Sequence, residues 1–104
     1  MKSPVFLLTD KEWAALFVRE IIRKRGGFHA TKYELTPKQL ESEAKRFLNI
    51  CSKRMGKQYI TEAQLVDECL NERLIEPTGT NVLYIRKDIV EMIMQKFKNR
   101  IPRL

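Results

Sequence analysis

Lys38, Ser42, Lys45, Arg46, Asn49 and Lys53 recur at intervals that place them on one side of an α-helix, at about 100° per residue. Four of the six are cations and the other two are hydrogen-bonding side chains. Such a row suits a polyanion: the cations neutralise phosphates, while Ser and Asn can reach base edges, Asn being matched to adenine. From Lys38 to Lys53 is about 22 Å of helix, enough to follow several phosphates. Glu41 and Glu43 flank the row without interrupting it. In a chain with 20 basic and 13 acidic residues, four charges in a row are all basic by chance about one time in seven. A solvated helix face is therefore the plain alternative. Arg23, Lys24 and Arg25 form a second basic cluster, and Arg86 and Lys87 a third; both can add backbone contacts if the fold brings them near.

The other reactive residue types are sparse. The chain has one histidine, His29, and two cysteines, Cys51 and Cys69. No nucleophile elbow, phosphate-cradling glycine loop or close His/Cys/Asp cluster occurs. Two cysteines 18 apart with one distant histidine do not make a zinc site. The pattern points away from an enzyme, a metal or a cofactor, and both cysteines are expected as reduced, buried thiols of a cytoplasmic protein, or of a nucleoid or nuclear one if it is DNA-bound.

The 104 residues make one domain, 1–104, and 43% hydrophobic content argues against disorder. A net charge of +7 with a pI near 9.7 favours nucleic acid, an anionic membrane or an acidic protein as partner. No apolar run approaches the roughly 20 residues of a membrane span, and the short patch after MKSP is too short for a secretory segment.

The stretch that carries the basic row, Leu35 to Gly56, is expected to be the central element. Thr36 is an N-cap, Pro37 the first helical residue, and Gln39 completes a capping box. Leu35 and Leu40 are placed as a hydrophobic staple, and Gly56 supplies the stop. Leu40, Ala44, Phe47, Leu48, Cys51 and Met55 form the core-facing stripe. The same apolar–Thr–x–x–Glu/Gln–apolar arrangement recurs at 8–13 and 60–65. The first opens a helix to about Arg25, ended by Gly26 and Gly27, whose apolar face (Trp13, Leu16, Phe17, Val18, Ile21, Ile22) is broad enough to be covered on more than one side.

The third arrangement opens a helix over 62–73 that buries Leu65, Val66, Cys69 and Leu70. Residues 28–35 are left between a short strand and a loop. LIEP and NVLYIR around Thr78-Gly79-Thr80 predict a β-hairpin. Asp88, with Glu91 in box position, predicts the cap of a last helix. Val90, Ile93, Met94 and Phe97 form its stripe, which serves either a homodimer or closure of the core.

Three helices, a hairpin and a final helix give a mainly α fold with a β-hairpin. This order resembles the winged-helix DNA-binding domains; the residues that carry the resemblance are NERLIEP, the loop TGTN and the returning strand VLYIR. It implies a helix-turn-helix made by the second and third helices, with the hairpin as wing, and a DNA-binding transcription or replication regulator. Two features depart from that family. The second helix is long, and the third, the expected reading helix, carries Glu62, Asp67, Glu68 and Glu72, which would meet phosphates with like charge. The basic row of residues 38–53 is therefore the better interface. The alternative is a protein-interaction module docking through Glu62, Asp67, Glu68 and Glu72. Five carboxylates against Arg73 give residues 58–76 a net charge of −4, leaving +11 elsewhere. The long helix, its link and the following helix also look like the end of a histone fold, which the hairpin does not fit.

Overall fold

The computed structural model describes residues 8–24, 34–55, 60–79 and 81–97. In chain order these form α1 (Asp10–Lys24), β1 (Glu34–Leu35), α2 (Pro37–Met55), α3 (Glu62–Asn71), β2 (Ile75–Pro77), β3 (Leu83–Ile85) and α4 (Lys87–Phe97). The chain is mainly helical, with one small antiparallel sheet. Arg25, Gly26, Gly27, His29 and Gly56, the side chains of Met55 and Phe97, and the basic tail after Phe97 lie outside the described residues.

Three of the helices begin as their local chemistry dictates. At α1 the Glu12 amide donates to Thr9 Oγ1 at 3.2 Å, and Glu12 Oε1 accepts the Thr9 amide at 3.0 Å. The Gln39 amide donates to Thr36 Oγ1 at 3.2 Å and Gln39 Oε1 accepts the Thr36 amide at 2.8 Å. Thr61 and Gln64 repeat the exchange at 3.1 and 2.9 Å. The flanking apolar pairs Leu8/Trp13, Leu35/Leu40 and Ile60/Leu65 are all buried.

The fourth helix begins otherwise. Asp88 is not its cap: α4 starts at Lys87, and the Val90 amide donates to the Arg86 carbonyl at 3.2 Å. The Arg86 amide is held by the Leu74 carbonyl at 2.8 Å. That bond prolongs the β2–β3 ladder to residue 86, so the helix can only start directly behind it. Asp88 instead takes Arg86 Nε at 3.1 Å and Nη2 at 2.9 Å, while Arg86 Nη1 donates to Glu76 at 2.9 Å. One guanidinium thus ties β2, the end of β3 and the first turn of α4.

The sheet has three strands in the order β1-β3-β2, not the hairpin alone. Ile75 faces Ile85 and Pro77 faces Leu83 across the hairpin, and β1 adds Glu34 opposite Tyr84 and Leu35 opposite Leu83. Thr78 Oγ1 donates to the Val82 carbonyl at 2.7 Å and closes the loop, with Gly79 at a positive φ of 85°.

The core is built on α1 rather than on α2. Every residue from Trp13 to Val18 is buried, as are Ile21 and Ile22. This helix packs against α2, α3 and α4. From α2 come Leu40, Ala44, Phe47, Leu48 and Cys51, and Phe47 lies 5.3 Å from the ring of Phe17 and 6.5 Å, edge-on, from Trp13. Val90, Ile93 and Met94, three of the four residues of the terminal stripe, are buried in the same core.

The third helix ends at Asn71, two residues before the expected boundary. Leu74 N–H returns to the Cys69 carbonyl at 2.9 Å and Arg73 N–H to that of Leu70 at 3.2 Å, a Schellman closure. Arg73 holds the left-handed position with φ 59°, where glycine is usual. Of the four residues expected to be buried on α3, Leu65 and Cys69 are buried and Val66 is half-buried, but Leu70 is exposed at 38%. The helix meets its neighbours along a narrower seam than its apolar content suggested.

Candidate nucleic-acid interface

A 19-residue amphipathic helix that seals its apolar stripe against α1 and α3 must turn the opposite residues outward. All six residues of the predicted row, Lys38, Ser42, Lys45, Arg46, Asn49 and Lys53, are exposed. Among the described residues, none of the four cations has a carboxylate within ion-pair distance.

The basic residues proposed from outside α2 behave differently. Arg23 lies 3.4 Å from Glu20, and Lys24 is 2.8 Å from Glu43, whose side chain is only 11% exposed. Arg86 is engaged by Asp88 and Glu76, and its protonated state is reinforced first by the Asp88 hydrogen bonds. The same contact holds the Asp88 carboxyl below the usual carboxylate range. Lys87 is half-buried in the first turn of α4. A phosphate must compete with a carboxylate at Arg23, Lys24 and Arg86, whereas at the four α2 cations it meets no such competitor among the described residues.

The fold gathers the row into hollows shared with neighbouring elements. Lys38, Ser42 and Arg46 line one together with Lys24 and Glu43. Lys45 and Asn49 line another with Ser52 and Glu62, the first residue of α3. The row is therefore bounded on one side by the Lys24–Glu43 pair and touched on the other by Glu62. The helix's own sequence gave no sign of the Glu62 neighbour, because it arrives from a different element.

The structure also adds Asn81. Continuing the β1–β3 register, Leu35 opposite Leu83, by two residues brings Pro37 opposite Asn81. Asn81 accordingly shares a hollow with Thr36, Pro37 and Lys38 and is exposed. The hairpin loop thus meets the start of the basic row, a contact visible in the sequence only once the pairing partner of β1 is known.

The acidic residues of α3 are spread rather than massed. Asp67 is exposed, but Glu62, Glu68 and Glu72 are half-buried, and Glu72 lies 3.2 Å from Lys11. The outermost strip of α3 is Ala63, Gln64, Asp67, Leu70 and Asn71.

Both cysteines are buried, free thiols. Burial pushes the Cys51 thiol up to about 11, the nearby Glu20 carboxylate adding to it, and raises Cys69 as well, with a contribution from Glu68. Both stay protonated and unreactive at neutral pH. Among the described residues no group of three or more His, Cys, Asp or Glu is placed to hold a metal ion, and no helix is long and apolar enough to cross a membrane. No family model, curated protein or solved structure matches the chain.

Proposed function

We propose that this protein is a small DNA-binding regulator of the winged-helix kind that meets the phosphate backbone with the outer face of α2. The observation that carries the proposal is the contrast in pairing. Lys38, Lys45, Arg46 and Lys53 are exposed and free of carboxylates among the described residues, whereas Arg23, Lys24 and Arg86 each lie within ion-pair distance of a carboxylate. In the winged-helix comparison α2 and α3 are the helix-turn-helix and the β2–β3 loop is the wing. Asn81 then extends the interface from the wing to the start of α2. Asp67 at the centre of the exposed α3 strip, flanked by Glu62 and Glu68, keeps that helix off the phosphates and distinguishes this mode from reading through the third helix.

Duplex DNA titrated at several salt concentrations tests the proposal. Four phosphate contacts give a log–log salt slope of about −3.6, so affinity falls by about 150-fold between 50 and 200 mM salt. Lys45→Ala and Arg46→Ala each remove about 0.9 from that slope, whereas Arg86→Ala leaves it unchanged. Absence of binding at 50 mM salt, or a slope indifferent to Lys45 and Arg46, refutes the assignment.

A further inference from the structure

Between the second half of α1 and the middle of α2 runs a cleft of about 400 Å³, within the range of roughly 300–1,000 Å³ typical of small-ligand sites. Its floor is Ile21 and Phe47, its wall the half-buried Ile50, and Arg46 and Lys53 stand at its edge. The two carboxylates that also border it are already compensated, Glu43 by Lys24 at 2.8 Å and Glu20 by Arg23 at 3.4 Å. The cleft therefore offers an apolar trough with an uncompensated positive rim. A phosphate backbone has no use for the trough, and a neutral hydrocarbon has none for the rim.

We propose that this cleft binds a single-chain anionic amphiphile, its alkyl chain along Ile21, Phe47 and Ile50 and its head group on Arg46 and Lys53. A carboxylate or a phosphate monoester supplies the same head-group chemistry, a charge-assisted, bidentate-capable partner for the Arg46 guanidinium. Because Arg46 and Lys53 also belong to the basic row of α2, an occupied cleft removes two of its four cations and weakens DNA binding. Amphiphile binding stands by itself; only its effect on DNA rests on the function proposed above.

The test uses the full chain with ¹³C-labelled isoleucine methyl groups, titrated below the micellar range with dodecanoate, dodecyl phosphate and dodecyltrimethylammonium. Both anions are expected to give saturable shifts at Ile21 and Ile50, with Ile75 and Ile85 of the sheet still, and the cation none. The anion that binds more tightly identifies the preferred head group. Arg46→Gln removes a charge-assisted contact and weakens binding by about tenfold or more. Ile50→Gln, at a half-exposed position that tolerates a polar side chain, abolishes it. No shift at Ile21 and Ile50, an equal response to the cation, or shifts spread through Ile75 and Ile85 overturns the proposal. Saturable shifts with unchanged DNA affinity overturn the competition between the two ligands.

Discussion

Replacing Thr9, Thr36 and Thr61 by alanine, singly and together, removes the same device from three helices. In each case the threonine hydroxyl accepts the amide three residues on, at 3.2, 3.2 and 3.1 Å. The partner's side chain in turn accepts the cap amide at 3.0, 2.8 and 2.9 Å. Alanine breaks the first bond and leaves the second geometrically intact. The cost is about 1 kcal/mol per site, because the freed amide recovers part of its bond from water. The three boxes share no partner, so the triple variant loses about 3 kcal/mol, a large part of a stability of roughly 5–15 kcal/mol. In a domain of this size each single variant lowers the melting temperature by about 4 °C and the triple by about 12 °C. Circular dichroism melts measure it, with threonine-to-serine variants as controls that keep the cap and hold the wild-type midpoint. Alanine variants that melt within a degree of wild type would show that these helices start for other reasons than their caps.

Other outcomes follow from single sites. Arg73→Gly relieves a left-handed residue at φ 59° and raises stability by about 0.5–1 kcal/mol, readable as a higher urea midpoint at constant slope. Phe17→Ala, at a position with no exposure, costs about 3–5 kcal/mol, readable as a large fall in the urea midpoint. Asp88 has its folded pKa lowered by Arg86, so its contribution is complete above the unfolded value of about 3.9 and is lost as pH falls through the folded value. The melting-temperature gap between wild type and Asp88→Asn therefore closes on acidification. Cys51 and Cys69 should react with a disulfide reagent at pH 8 slower than an open thiol, Cys51 by roughly two orders of magnitude, given its pKa of about 11. Unfolding in denaturant should release both at once.

What could be read from residues alone was what residues decide among themselves within a turn or two. The capping boxes close over three positions, so Thr9, Thr36 and Thr61 mark their helices without knowledge of the fold. The outward turn of Lys38 through Lys53 follows from the buried stripe of the same helix. Asp88 misled because an Asp-x-x-Glu pattern satisfies the local rule, while the Arg86 amide was already claimed by Leu74, twelve residues away. The β1 strand is two residues long and exists only by pairing with β3, which no local pattern encodes. Arg73 closes α3 in a place where the sequence shows no glycine. For the candidate interface, the positions were legible and their electrostatic state was not: whether a lysine is free or paired depends on which carboxylate the fold delivers, as Glu43 is delivered to Lys24.

The burial of α1 on nearly all sides has a consequence for how the chain comes into being. Residues 13–22 are synthesised well before α4, the helix that covers part of them. Until residues 87–97 are synthesised, the part of the α1 surface that α4 covers stays open, and the contacts that close it join residues far apart in the sequence. A nascent chain stopped anywhere before Val90 presents that surface to chaperones or to other chains. The hairpin and the basic helix are thus made before α4 closes the core around α1.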